Sequence, residues 1–274
     1  MTELLHWWRR GLAAVLLGPL WQDRDRLGRL LARDLQARYA GSALGAGWNV
    51  LRPLLQIGAY YFAFGVVLDA RLGREAADSG YPVYLLSGLI PWFCFLEGVT
   101  SGSNSLVASG ALIKKVRLPI EILTAKTVLA PAVTYGPFIA LLWALVAGMD
   151  APWLLPVLAA WLAAQVLFTF FLVHALAILT AVVRDIGQAF NTVIGMTLFI
   201  SPVLLPVSMV PASFRPVLYI NPMTPFVEGY HRMILEGALP ERSDAVIALL
   251  WVAVAAAAAA LLHRRARSSL VDWL

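Results

Sequence analysis

Six long apolar blocks, separated by polar or charged segments, dominate the pattern of this chain of 274 residues. They span about 49–68, 82–99, 119–148, 152–182, 187–209 and 244–262. An α-helix needs roughly 20 apolar residues to cross a bilayer core about 30 Å thick. Each block is near or above that length. The pattern therefore predicts an all-α, polytopic membrane protein with six transmembrane helices.

The composition supports the same class. Hydrophobic residues make up 60% of the chain and charged residues 14%, and the mean hydropathy is +0.76. A soluble domain has no interior large enough to bury this much apolar surface. We therefore expect the 49–262 region to be the transmembrane domain.

Lysine and arginine residues are distributed unevenly between the segments that separate the blocks. If these segments are assigned in turn to the two sides of the membrane, 14 of the 21 lysines and arginines fall on the side of the N-terminus and 5 on the other side. The remaining two, Arg52 and Lys126, lie within or at the edge of blocks. Cationic loops stay in the cytoplasm during membrane insertion. The bias predicts that both termini are cytoplasmic, which agrees with an even number of spans.

The first 48 residues are predicted to form a cytoplasmic arm. Within 25–40, leucines recur at helical spacing among arginine and aspartate residues, a pattern typical of a helix that lies in the membrane interface. A solvated surface helix shows the same pattern, so the residues alone leave that alternative open. Residues 263–274 are predicted to form a cytoplasmic tail, and 1–24 receive no role.

Segment 100–118, on the cytoplasmic side, combines small polar residues with an apolar pair and three cations. These five residues are Leu112, Ile113, Lys114, Lys115 and Arg117. The segment is long enough to form a short helix along the membrane that docks a cytoplasmic partner. An ordinary cationic loop remains the alternative.

Segment 210–240 is too apolar for a plain external loop and too rich in proline for a span. Broken segments at membrane depth persist only where protein or a water-filled cavity satisfies their backbone. We therefore expect short re-entrant or interfacial helices at the outer face, an arrangement that suits a gate.

The blocks contain ionisable residues, among them Glu97, Lys126 and His174, and a charge at membrane depth is costly unless it is paired. Glu97 is a functional candidate that can also reach the interface, and Lys126 is a plausible partner for it. His174 is interpreted mainly as a hydrogen-bonded packing residue. Two pairs of aromatic residues, Tyr60 with Tyr61 and Trp92 with Phe93, fit either the aromatic belt of membrane proteins or a channel that stacks against sugar rings.

The sequence contains no motif for ATP binding, because G-x-x-x-x-G-K-[ST] is absent. H-E-x-x-H and G-x-S-x-G are absent too, and the single cysteine, Cys94, excludes an intrachain disulfide. The net charge of +5 is explained by the cytoplasmic bias of cations, and no nucleic-acid partner is expected. Uphill transport would therefore draw its energy from a partner or an ion gradient.

Four segments resemble the membrane subunit of polysaccharide-exporting ABC transporters, most closely the O-antigen exporter permeases. They are 30–56, 81–123, 182–211 and 219–237. They occur in the order of that family, within a resemblance that extends from about residue 25 to 262. Permeases that export capsule and teichoic acid share the same plan.

The resemblance implies a homodimer of six-span subunits in the bacterial inner membrane. Each subunit would bind a separate cytoplasmic ATPase, which binds ATP and Mg, so that this chain is not an enzyme and carries no cofactor. The pore at the dimer interface would pass an O-antigen-like, lipid-linked polysaccharide. Within each subunit, 25–40 would be an interface helix, 103–115 the main coupling helix and 210–240 the outer gate.

The resemblance also implies roles for individual residues, with none assigned to catalysis or to metal binding. Coupling to the ATPase is assigned to Leu112, Ile113, Lys114, Lys115, Arg117, Arg184 and Asp185. The three cations Lys114, Lys115 and Arg117 would either pair with acidic groups on the ATPase or hold lipid pyrophosphate near the entrance. Arg33 and Arg38 are candidates for the site where the lipid phosphate enters, and Tyr60, Tyr61, Trp92 and Phe93 are candidates for the channel. Candidates for the outer gate are Pro211, Phe214, Tyr219, Asn221 and Pro222.

Two other classes of function remain as alternatives. One is an ABC permease of similar architecture that moves capsule, teichoic acid, another lipid or a drug. The other comprises secondary transporters, membrane enzymes and scaffolds. A secondary transporter would need ion-coupling residues at mid-membrane, for which Glu97, Lys126 and His174 are the candidates, and an inverted repeat is not visible.

Overall fold

The computed structural model of the protein describes residues 12–38, 41–67, 80–115, 118–148 and 150–266, without the side chains of 12–14, 46, 65–67, 112 and 115. Within these ranges the chain is helical and contains no β-strand, which confirms the predicted all-α class. The α-helices are α1 (Leu12–Gln22), α2 (Arg24–Ala37), α3 (Trp48–Tyr60), α4 (Tyr81–Ser103), α5 (Ser105–Ala108), α6 (Gly110–Lys115), α7 (Ile120–Val146), α8 (Leu155–Val182), α9 (Arg184–Met196), α10 (Arg215–Leu218), α11 (Thr224–Leu235) and α12 (Arg242–Ala266).

Four of the described helices are long and apolar enough to cross a membrane: α4, α7, α8 with the 3-10 turn before it, and α12. They coincide with four of the six predicted blocks, and they make the protein a multi-pass membrane protein. α4 contacts α7 and α8, and α12 packs along α8. A shared apolar core holds them together, including the stacked rings of Phe95 on α4 and Phe168 on α8 at 6.0 Å. Phe168 also stacks on Phe226 of α11 at 5.6 Å.

The first predicted block begins as α3 and continues without interruption as a π-helix over Tyr61–Val67. The remaining residue of this block, 68, lies outside the described residues. The structure therefore accounts for most of this block as one continuous helical segment that starts at Trp48.

The fifth predicted block, 187–209, is not one continuous helix. α9 ends at Met196, a 3-10 turn follows over Thr197–Ile200, and Ser201 is extended with φ −95° and ψ 150°. The physical reason is the next residue, Pro202, because a proline excludes the residue before it from the α-helical region and lacks an N–H donor. Further along, α10 and α11 are short, and α11 carries deeply buried side chains.

The N-terminal arm contains two helices. α2 forms within the predicted amphipathic stretch and lies against α7, and none of its residues is fully buried. α1, in the stretch to which the sequence assigned no role, packs against α7 and α12 and buries Leu16 completely. The apolar run LAAVLLGPLW was the signal in the sequence for this contact.

Candidate functional site

A network of ion pairs joins α2 to two of the long helices. Asp34 lies at its centre, with Oδ2 3.3 Å from Nε of Arg38 and Oδ1 3.2 Å from Nζ of Lys126 on α7. Nη1 of Arg38 also donates a hydrogen bond to Oε1 of Glu97 on α4. Two cations and two carboxylates are thus paired in one cluster where three helices meet.

These pairs are partly removed from water, since the four side chains are between 13% and 26% exposed. Charges in such a setting are stable only when partnered. Glu97 and Lys126 were expected to pair with each other, but the structure gives each a partner on α2 instead. Asp34 could not be singled out from the sequence, because it is one of many charged residues in the N-terminal arm.

A cavity of about 460 Å³ opens beside this network, between α2, α3, α4 and α7. Its lining combines charged groups with hydroxyl, amide and aromatic side chains. These residues are Asp34, Arg38, Arg52, Gln56, Phe93, Leu96, Glu97, Thr100, Ser101 and Tyr135. The polar residues on α4 follow helical spacing at 97, 100, 101, so they form one stripe on its cavity side.

The structure separates the two arginines proposed for the lipid phosphate. Arg38 lines the cavity, whereas Arg33 is exposed on α2 and is not part of the lining. Two residues that are five positions apart in an α-helix project from different faces of that helix. Arg33 therefore does not share a site with Arg38 within this subunit.

The four candidate channel aromatics occupy different environments. Phe93 lines the cavity and meets Tyr60 edge-on at 5.3 Å, and Tyr61 is 40% exposed. Trp92 is fully buried and contacts Phe95 at 5.8 Å. Trp92 is thus enclosed in the core of the subunit in this conformation, and a role for it in a channel stays a prediction.

The predicted coupling segment is not one helix. α4 ends at Ser103, and breaks at Asn104 and Ser109 separate the short helices α5 and α6. Ile113 of α6 packs against a small core formed by α5, α7, α8 and α12, and Lys114 is exposed. This core consists of Leu106, Leu123, Ala177, Ile178 and Ala266.

Some candidate coupling residues lie outside the described part of the chain. They are the side chains of Leu112 and Lys115, and all of Arg117. Arg184 and Asp185 are exposed in the first turn of α9.

A buried chain of hydrogen-bonding groups links α7, α8 and α12. Thr124 Oγ1 lies 3.0 Å from His174 Nδ1, and His174 Nε2 lies 3.1 Å from His263 Nδ1. His263 Nε2 in turn lies 3.5 Å from Oε1 of Glu121. His174 is thus a hydrogen-bonded residue of the bundle interior, and its partners lie 50 and 89 residues away in the sequence.

We expect the Thr124→Val substitution to lower the free energy of unfolding by about 1 kcal/mol. Valine keeps the volume of threonine but removes the hydroxyl next to Nδ1 of His174, and a buried polar atom that loses a partner costs about this much. Thermal unfolding of the purified chain in lipid nanodiscs would measure the change. Thr134→Val is the matched control, because its hydroxyl donates to the carbonyl of Ala130 in its own helix; equal shifts in both variants would contradict the prediction.

The candidate gate residues lie in the segment between α9 and α11. Pro211 and Phe214 are exposed, and Pro222 is partly buried. The buried Asn221 accepts a hydrogen bond from Met223 N at 3.0 Å, which holds the start of α11. The pKa of Tyr219 is raised by burial and by a hydrogen bond to the carboxyl group of Asp244, so its hydroxyl stays protonated.

Comparisons with known proteins give one consistent result. The family model for "ABC-2 type transporter" matches residues 26–235. An "O-antigen export system permease protein RfbA" from Myxococcus xanthus is 29% identical over 250 residues, 87% of this chain and 93% of that protein. A protein of the same name from Klebsiella pneumoniae is 26% identical over 78% of this chain and 82% of its own length. A "Polysialic acid transport protein KpsM" from Escherichia coli is 24% identical over 77% of this chain and 82% of its own length.

Proposed function

The chain belongs to the ABC-2 type transporter family, and on this premise we propose that it is the permease subunit of an exporter of lipid-linked polysaccharide. The observation that carries the proposal is the similarity to O-antigen export permeases over most of both chains. Similarity to a polysialic acid transport protein supports the same class of cargo. The protein is a transport subunit, and O-antigen-like glycan is the substrate that we propose.

The proposed topology has six crossings with both termini in the cytoplasm of a bacterial cell. Four crossings would be α4, α7, α8 and α12, and the others would be α3 with its π-helical extension and the broken segment from α9 through residue 209. The excess of cations on the N-terminal side supports this orientation. The membrane would be the inner membrane, and two copies of the chain would form the pore.

The proposed mechanism is mechanical coupling to a separate ATPase, with two copies per dimer. ATP binding would close the ATPases against α5 and α6, and α9 would provide a second contact through Arg184 and Asp185. Ile113 supports this role, since its packing on the small core would transmit a push on α6 to α7, α8 and α12. The 210–240 segment would form the gate at the other end of the bundle.

The proposal is tested by complementing a strain that lacks the permease with this chain, with and without its partner ATPase. We expect polysaccharide to reach the cell surface only when both proteins are present. Export with the chain alone would point to a gradient-driven transporter and would remove the coupling role of α5 and α6. Export of a capsule, teichoic acid or another lipid in place of O-antigen would favour the alternative cargo.

A further inference from the structure

The junction between α4 and α5 is bonded to α9. The hydroxyl of Ser103, the last residue of α4, donates a hydrogen bond to Oδ1 of Asn191 on α9 at 3.2 Å. Ser103 is completely buried, and Nδ2 of the next residue, Asn104, lies 3.5 Å from its Oγ. Ser103 and Asn191 are 88 residues apart in the sequence. A side-chain hydrogen bond between distant segments thus joins the start of the predicted coupling segment to α9.

Gly187 lets α9 approach this junction closely. It lies one turn before Asn191, so both residues project from the same face of α9. A Cβ atom at Gly187 would lie 2.8 Å from Cγ2 of Thr180 on α8 and 3.1 Å from Oδ1 of Asn104. Carbon atoms in contact are normally about 3.5–4.0 Å apart. Any side chain larger than that of glycine would therefore push α9 away from both neighbours.

The same face of α9 carries one of the two proposed ATPase contacts. Arg184, Gly187 and Asn191 follow one another at spacings of three and four residues, which places them on a single stripe of the helix. Arg184 is the exposed end of this stripe. The other proposed contact, α5 and α6, follows directly after Asn104. The hydrogen bond and the close approach at Gly187 therefore lie where the two contacts meet.

We propose that Gly187 and Asn191 are positioning residues that hold α9 to the α4–α5 junction, so that both ATPase contacts of a subunit move as one body. The ATPase would then dock on one composite surface, formed by α5, α6 and the first turn of α9. A push on either contact would reach α4 through Ser103 and α8 through Thr180. This inference rests on the proposed function, because that function assigns the contacts to an ATPase.

The first test measures the distance between α5 and α9 within one subunit. Spin labels are attached at the exposed positions Ala108 and Ala189 after Cys94→Ala has removed the single native cysteine. Double electron–electron resonance is recorded on the permease–ATPase complex in lipid nanodiscs, with labelled permease diluted into unlabelled permease. We expect one narrow distance distribution that is the same without nucleotide and with a non-hydrolysable ATP analogue. A different distance in the two states would overturn the proposal.

Asn191→Leu removes the link without leaving Ser103 unsatisfied, because the carbonyl oxygen of Thr100 lies 3.3 Å from the same hydroxyl. We expect the distance distribution to broaden in this variant, and the polysaccharide exported per ATP hydrolysed to fall about fivefold, the factor that corresponds to one neutral hydrogen bond. Loss of folded complex lowers export and hydrolysis alike, so this ratio does not respond to stability alone. An unchanged ratio or an unchanged distribution would overturn the proposal.

Thr192→Val is the matched control on α9. Thr192 is the neighbour of Asn191, is exposed, and donates its hydroxyl to the carbonyl oxygen of Gln188 in its own helix at 3.0 Å. The substitution should leave the label distance and the export ratio unchanged. An equal fall of the ratio in Thr192→Val and Asn191→Leu would reveal a general sensitivity of α9 and would overturn the proposal.

Two pairs of substitutions test the hydrogen bond and the close approach separately. Ser103→Ala and Asn191→Leu break the same bond, so the double variant should lose no more of the export ratio than either single variant, and additive losses would overturn the proposal. Gly187→Ala should also lower the ratio. Thr180→Ala removes the two atoms nearest to the added Cβ atom, so it should restore part of this loss. An unchanged ratio in Gly187→Ala would overturn the role of Gly187.

Failure of this inference can be told apart from failure of the proposed function. Export that requires the ATPase but keeps its ratio to ATP hydrolysis in Asn191→Leu would overturn the inference and leave the proposed function intact. Export by this chain without the ATPase would overturn the proposed function, and the inference with it.

Discussion

Replacing Gly102 by alanine is expected to lower the free energy of unfolding by about 1–3 kcal/mol, the usual cost of overpacking a core. Gly102 lies where α4 meets α7 and α8. A Cβ atom there would overlap Cγ1 of Val173 and come within 2.9 Å of Thr127 Oγ1. Valine is stiff at χ1 in a helix, so Val173 cannot turn away, and the helices would have to move apart.

Gly28 of α2 is the matched control for this prediction. It is also helical, but it is exposed, and a Cβ atom there would meet nothing within 4 Å. Gly28→Ala should therefore stabilise the chain slightly, since alanine is favoured over glycine in a helix by about 1 kcal/mol. Thermal unfolding in lipid nanodiscs measures both variants. Combining Gly102→Ala with Val173→Ala should recover part of the loss, and a stabilising effect of Gly102→Ala alone would contradict the prediction.

Reversing the charge of Lys114 is expected to weaken binding of the partner ATPase about tenfold or more. Under the proposed function, the exposed Lys114 on α6 faces the ATPase. Lys114→Glu would turn an attraction to acidic groups on the ATPase into a repulsion. Charge pairs at protein interfaces contribute enough binding free energy to account for a tenfold change in affinity. Co-purification of the ATPase with the permease, and ATP hydrolysis by the complex, are the two measurements.

Arg242→Glu provides the control for this charge reversal. Arg242 is exposed at the start of α12, at the opposite end of that helix from Ala266, which packs in the small core with α5. The substitution changes the net charge by the same amount as Lys114→Glu, but it should leave ATPase binding unchanged. Equal losses in both variants would indicate a general effect of charge, and intact binding in Lys114→Glu would remove the assigned role of this lysine.

Parts of the cavity site could be predicted from single residues. Glu97 and Lys126 were recognised because a charge inside an apolar block is costly, and Arg38 because it belongs to a cationic helix. Their partners could not be predicted. Arg38 and Glu97 are 59 residues apart, and Lys126 and Asp34 are 92 apart. Pairing at such separations depends on which helix faces meet, and the hydropathy of each block carries no information about this.

The sequence by itself determined the class of the protein and the positions of α4, α7, α8 and α12. These features are local, because the thickness of the bilayer sets the length and apolar character that each crossing helix needs. The tertiary structure alone decided that Trp92 is enclosed in the core, that α1 joins the bundle, and that Arg38 holds Glu97 beside a cavity. Each of these outcomes depends on contacts between distant segments, where close packing and the pairing of buried charges select one arrangement among many that the same helices would allow.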